Sequence, residues 1–242
     1  MILSHKQIEE IAAAVTKNFN EFFFGKDEEI RLPRATPIAE FAKDYLGLNV
    51  SFTRLSSDGS ICGLTSYADT VYIIEENSVY RTIPLKRNQV LLDVSLIKPG
   101  QEQQLRGKRR FTLAHECAHQ ILFQMESQEL KNKYQQLYSS HKAYSLRELK
   151  TREDWSEWQA NVLGAALLMP QREIDLAIEY FATNRKLVNY EGHLVYPDKV
   201  SLDFICQQFG VSKAAALIRL EQLGYIENRS YNEYEDEMEV WS

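Results

Sequence analysis

His115 and His119 stand four residues apart in the stretch FTLAHECAHQILF, with Glu116 directly after the first. At about 3.6 residues per turn, both imidazoles fall on one face of a helix, one turn apart, within reach of a single metal ion. HECAH is an HExxH sequence, in which two histidines bind zinc and the intervening glutamate acts as general base toward the attacking water. Five histidines in 242 residues give such a pair with its glutamate by chance in roughly one sequence in a hundred. The plain alternative is a helix carrying two surface histidines. Leu113, Ala114, Ala118, Ile121 and Leu122 argue against it, because they mark a largely buried helix where unpaired imidazoles would be costly.

Cys117 lies two residues from each histidine, about 200° around the helix, so its thiol points away from the metal face and reads as buried and inert. A catalytic zinc takes three protein ligands and keeps an open position, so the third ligand has to come from another element. The best source is TREDWSEWQANVLGAALLMP, residues 151–170. Thr151 and Asp154 read as a capping box, and Glu157, Ala160, Asn161 and Gly164 then share one helix face. Small residues beside Glu157 let this helix approach the histidine helix closely, and Asn161, one turn on, is placed to hydrogen-bond a ligand and fix its orientation. Taken alone, Glu157 is a solvated helix glutamate; beside the HExxH it is the preferred third ligand.

The remaining elements must hold these two helices. Residues 4–24 carry Ile8, Ile11, Ala12, Val15 and Phe19 at helical spacing after Ser4, which predicts an amphipathic helix ending near Gly25. TPIAEFAKDYLG predicts a short helix with a Thr36 cap and a stop at Gly47. Residues 48–55, 61–68, 70–75 and 89–94 are short, β-branched or aromatic runs parted by turn signals, which predicts a small, mostly antiparallel sheet. From about 102 to 182 the pattern is helical, with Pro170 ending the run NVLGAALLMP. KLVNYEGHLVYPD reads as a loop or hairpin, followed by helices over 200–209 and 212–223.

Composition sets outer bounds. The chain is 44% hydrophobic with a net charge of -6, which suits a soluble globular protein and argues against nucleic acid as the main partner. The N-terminal stretch MILSHKQIEEIAAAV lacks a signal-peptide core, and no apolar run approaches a membrane span. Three widely spaced cysteines, Cys62, Cys117 and Cys206, do not form a disulfide framework, so the expected compartment is the reducing cytoplasm.

RRFTLAHECAHQIL followed by EWQANVLGAALLMP is similar to the ImmA/IrrE family of zinc metallopeptidases, which pair an HExxH helix with an ExxA(N/D) helix ending in a Leu-Leu-Met-Pro type sequence. The strand QVLLDVS and the arginine-rich RGKRR also fit, and the likeness is strongest over about residues 35–170. One departure is Cys117-Ala118, where the family often has glycine within the motif. The resemblance implies a zincin-like α+β metallopeptidase fold, Zn²⁺ held by His115, His119 and Glu157, and Glu116 as general base. It also implies a protein substrate, a repressor or antirepressor of the helix-turn-helix type, whose cleavage relieves repression of a mobile element or a stress response. Such enzymes often add a Tyr or His that stabilises the tetrahedral intermediate; Tyr138, His141, Tyr144 and His193 are available, and the sequence does not rank them.

SLDFICQQFGVSKAAALIRLEQLGYI resembles a helix-turn-helix, with two helices joined at FGVS, Val211 buried and Ser212 capping the second. Its second helix offers only Lys213 and Arg219 as cations, which is thin for reading DNA and favours a substrate-docking or structural role. Two other readings stay open: a non-catalytic zinc-binding sensor, and a DNA-binding transcription regulator on a protease-like scaffold. The expected organisation is an N-terminal helical extension (1–30), a zincin-like metallopeptidase domain (31–185), a helix-turn-helix-like module (186–230) and an acidic tail (231–242).

Overall fold

Ser4 opens the first helix as the sequence predicts: its hydroxyl accepts from Gln7 N at 3.3 Å, and Gln7 Oε1 accepts from Ser4 N at 2.9 Å. In this computed structural model, residues 1–25, 32–76, 79–128, 131, 152–182 and 186–234 are described. They fall into two compact units, one of Met1–Glu28 with Thr36–Leu168 and one of Glu29–Ala35 with Met169–Ser242.

In the first unit, α1 (His5–Phe24) buries Ile8, Ala12, Thr16 and Phe19 along one face, and Phe19 meets Phe41 edge-on with ring centroids 5.1 Å apart. A one-turn helix α2 (Ile38–Glu40) runs on as a π-helical turn, Phe41–Tyr45. The predicted Thr36 cap is not made. Pro37 takes the N-cap position, and Thr36 Oγ1 donates at 2.6 Å to the carbonyl of Leu167, one of the unsatisfied acceptors at the end of another helix.

Five strands follow: β1 (Asn49–Thr53), β2 (Gly63–Ser66), β3 (Thr70–Glu76), β4 (Val79–Leu85) and β5 (Gln89–Asp93). The three-stranded sheet has the order β1-β5-β2, with β2 antiparallel and β1 parallel to β5, and β3-β4 is a separate antiparallel hairpin. Two of these three pairings are antiparallel, as expected, but the single sheet is corrected to two, and one pair is parallel: the chain leaves β1, builds the hairpin, and returns to lay β5 along β1 in the same direction, as a long connection permits. Strand β4 escapes the sequence pattern because most of it is exposed and shows no apolar alternation. Leu55, Leu64, Leu85 and Leu91 form the buried cluster beneath these strands, with Tyr72 and Ile83 of the hairpin packed against it. Asp93 closes β5, its carboxylate accepting from Leu55 N and Ser95 N at 2.8 Å each.

Helix α3 (Glu102–Met125) is exposed and basic over its first half, whereas every residue from Thr112 to Ile121 is buried. Helix α4 (Arg152–Leu168) packs along it and stops before Pro170. Thr151 of the expected capping box lies outside the described residues.

The second unit contains α5 (Gln171–Phe181), β6 (Leu187–Tyr190), β7 (His193–Leu194), α6 (Tyr196–Phe209), α7 (Lys213–Gln222) and β8 (Ile226–Arg229). KLVNYEGHLVYPD resolves into the β6-β7 hairpin, and β8, not foreseen, pairs parallel to β6. Helix α6 begins four residues earlier than the sequence predicts, with Pro197 in its first turn and the Asp198 carboxylate accepting from Val188 N at 2.8 Å. Gly210, at φ 62°, ends α6, and the Ser212 hydroxyl caps α7 by accepting from Ala215 N at 3.2 Å. Val211 between them is half-buried rather than buried. Residues 231–234 form a helical turn, and the rest of the predicted acidic tail lies outside the described residues.

Candidate metal centre

The register of α3 puts His115 and His119 on successive turns with their rings nearly perpendicular, at 85°, and their Nε2 atoms 3.0 Å apart. From α4 the Glu157 carboxylate reaches both: Oε2 lies 3.3 Å from His115 Nε2 and Oε1 lies 3.2 Å from His119 Nε2. All three side chains are buried, between 1 and 4% exposed. Among the described residues these three form a group able to hold a metal ion.

Close helix approach is what lets a carboxylate get there. A Cβ built on Gly164 would stand 3.1 Å from His115 N and 3.2 Å from Ala114 C, against backbone that cannot swing aside. Ala160, fully buried one turn earlier, continues the same small-residue face. Asn161, on the same face, lies close enough to His115 to favour its protonated form.

The protonation states suit a cation. Burial, and then the neighbouring His119, lower the pKa of His115, with Glu157 and Asn161 working in the opposite direction. Burial alone would raise Glu157, but its contacts with the two imidazoles prevail and hold the carboxyl at about 2. The cluster thus presents a carboxylate beside an imidazole biased toward its neutral form, the states that coordinate metal. Zinc bonds of about 2.0–2.1 Å at tetrahedral angles separate neighbouring ligand atoms by about 3.3 Å. The observed separations are of that size: 3.0 Å between the two Nε2 atoms, and 3.3 and 3.2 Å from them to the two oxygens of Glu157.

Glu116 is also buried, and its Oε2 has no hydrogen-bond partner among the described residues. Burial, and secondarily the Glu157 charge, push its carboxyl well above the usual range. Its space is provided by β2: a Cβ on Gly63 would stand 2.5 Å from Glu116 Oε1 and 2.6 Å from Thr112 Cγ2. One turn beyond Glu116, Gln120 Nε2 donates to Thr65 Oγ1 at 2.6 Å and to Ser66 O at 3.1 Å, pinning α3 to that strand. Gly63 and the Gln120–Thr65 link were missed in the sequence, although a lone glycine inside the strand-like run ICGLTSYA is a mark of close approach.

Cys117 is fully buried and is not in the metal-binding group; burial and then Glu116 raise its thiol far above the ordinary value. Of the four candidates for stabilising an intermediate, Tyr138, His141 and Tyr144 lie outside the described residues. His193 is exposed on β7, in the second unit.

Residues 101–221, half of the chain, match the IrrE N-terminal-like domain of the M78 peptidases. The chain belongs to the ImmA/IrrE family. The matched span takes in α3, with both histidines, and α4, with Glu157, and runs on through most of α7. It begins after β5, so the ImmA/IrrE match leaves out the five strands of the first unit and extends further toward the C-terminus than the sequence motifs suggest. The family is one of metallopeptidases, and the His115, His119, Glu157 cluster is consistent with a bound metal ion. No curated protein matches the chain.

Proposed function

We propose that this protein is a zinc-dependent endopeptidase in which His115, His119 and Glu157 hold the metal and Glu116 is the general base. The observation that carries the reading is the buried cluster in which the two Nε2 atoms lie 3.0 Å apart and the two Glu157 oxygens lie 3.3 and 3.2 Å from them, one residue from a second buried carboxylate. When bound, zinc supplies Lewis acidity toward the scissile carbonyl and acidifies a water. Glu116 takes a proton from the attacking water and hands it to the leaving amine, a task suited by its raised proton affinity and its unpartnered Oε2. Asn161, one turn beyond Glu157 and close to His115, is the residue placed to hydrogen-bond a ligand and fix its orientation. An extended substrate pairs along an exposed sheet edge of the first unit; β2, which passes Glu116 at Gly63, is itself buried.

The substrate is a protein regulator of the helix-turn-helix type, and its cleavage relieves repression of a mobile element or a stress response. This part of the reading rests on the ImmA/IrrE resemblance rather than on any residue of the chain. The α6–α7 pair then serves as a helix-turn-helix-like docking module. A role as a DNA reader is disfavoured by the two cations of α7: Arg219 is fully buried and donates to the Met169 carbonyl at 3.1 Å, and Lys213 pairs with Asp203 at 2.6 Å. Three free thiols accord with action in the reducing cytoplasm.

The test combines metal content with cleavage. Wild type dialysed against metal-free buffer should hold about one zinc per chain by plasma emission, and His115→Ala almost none. Glu116→Gln should keep the zinc yet fail to cut a helix-turn-helix regulator encoded beside its gene and cut by the wild type. Zinc uptake by neither protein removes the metal centre, and cleavage by Glu116→Gln removes Glu116 from its role.

A further inference from the structure

A second cavity, of about 760 Å³, opens on the first half of α3, away from the metal cluster: none of His115, Glu116, His119 or Glu157 lines it. Arg106, Arg109 and Arg110 face it at the spacing of three and four that puts residues on one side of a helix, and Lys43 faces it from the π-helical turn. Glu40 is the one acid in its wall. Among the described residues none of these four cations forms an ion pair, an unusual concentration of unneutralised charge in a chain of net charge -6. The opposite wall is apolar, with Ile38, Leu48, Val50 and Leu92 inside and Phe52, 39% exposed, at the surface.

Two of the guanidinium groups are pre-positioned. Arg109 Nη1 donates to Leu96 O at 3.2 Å and Arg110 Nη2 to Thr36 O at 2.9 Å, which anchors one end of each fork. Arg110 Nε is buried and makes no hydrogen bond among the described residues, so it has donor capacity to spare. Burial and the charge of Arg106 both disfavour the Arg110 cation, with only partial relief from Glu40. Glu102, at the start of the helix, lies close enough to feel Arg109.

We propose that this cavity binds a multiply charged organic phosphate, a nucleoside diphosphate or triphosphate in size and charge. Four cations set against one acid match a diphosphate better than a single carboxylate, and planar guanidiniums suit phosphate oxygens. The volume falls in the range of small-molecule sites, and the apolar wall ending at Phe52 receives an aromatic base.

Isothermal titration of the full chain with ADP and with inorganic pyrophosphate tests the site, in zinc-loaded and metal-free protein. Both ligands should bind once per chain, ADP about tenfold tighter than pyrophosphate because of the apolar wall. Arg106→Gln, an exposed position that should not disturb folding, should weaken both by about 10- to 100-fold, and Arg87→Gln, outside the cavity, should leave them unchanged. Absence of saturable binding, equal affinity for ADP and pyrophosphate, or indifference to Arg106→Gln would overturn the proposal. Binding by the zinc-loaded chain alone would place the anion on the metal and overturn it as well. Because the site excludes the metal ligands, its failure leaves the peptidase reading untouched.

Discussion

Gly63 on β2 leaves the space that the Glu116 carboxylate occupies on α3, and a methyl group there would stand 2.5 Å from Oε1. Both obstructed atoms belong to side chains, the far end of Glu116 and the Thr112 methyl at 2.6 Å, so these two side chains shift while the His115 and His119 backbone is not obstructed. Gly63→Ala should therefore retain zinc and lose most cleavage, by about 10²-fold or more if the displacement approaches 1 Å. A variant with normal metal content and normal turnover would show that Glu116 tolerates the intrusion and does not depend on its present position.

Gly164 contrasts with Gly63 because its neighbours are backbone. A side chain at 164 meets His115 N and Ala114 C, so α4 itself has to move, and it carries Glu157 with it. Gly164→Ala should cost about 1–3 kcal/mol of stability and weaken metal retention, and Gly164→Val should do more of both. Competition of each variant with a fluorescent zinc chelator measures the second effect. Unchanged affinity would detach the helix spacing from metal binding.

Metal removal should be felt as stability. Without a cation the chain keeps Glu157 charged against two buried imidazoles, a pairing whose desolvation only a metal ion offsets fully. Free zinc at about 100 times its dissociation constant adds about 2.7 kcal/mol, which for a chain of this size raises the melting midpoint by roughly 5–10 °C. Glu157→Ala should lose that zinc-dependent rise, and a rise of wild-type size would remove Glu157 from the ligand set.

Much of this centre was legible in the sequence because it depends on helical spacing alone. The interval His115 to His119 and the face Glu157, Ala160, Asn161, Gly164 each fix an angle around one helix, and the fold keeps those angles. What escaped depends on contacts between distant segments. The parallel pairing of β1 with β5 joins strands separated by a hairpin, β4 shows no apolar alternation on its exposed face, and Thr36 serves a carbonyl 131 residues away instead of its own helix. The Arg106, Arg109 and Arg110 cluster was visible as RGKRR, but the apolar wall across from it comes from α2 and β1 and could not be foreseen.

The thiols offer a final test that needs no substrate. Cys117 is fully buried, and its thiol is raised far above the ordinary value by burial and then by Glu116. Cys206 is half-buried and pushed up to about 11 by burial and then by Asp203, against the opposing pull of Lys213. The thiolate is the reactive form, so at pH 8 only about one Cys206 in a thousand is poised to react, and that fraction grows about tenfold per pH unit toward pH 11. Alkylation of the native chain at rising pH, read peptide by peptide by mass spectrometry, should show Cys206 accelerating along that slope. Cys117 should stay unmodified until the chain unfolds. Native-state labelling of Cys117 at neutral pH would mean that the α3 segment between the two histidines opens readily, and that the buried His115, His119, Glu157 cluster is not the resting arrangement.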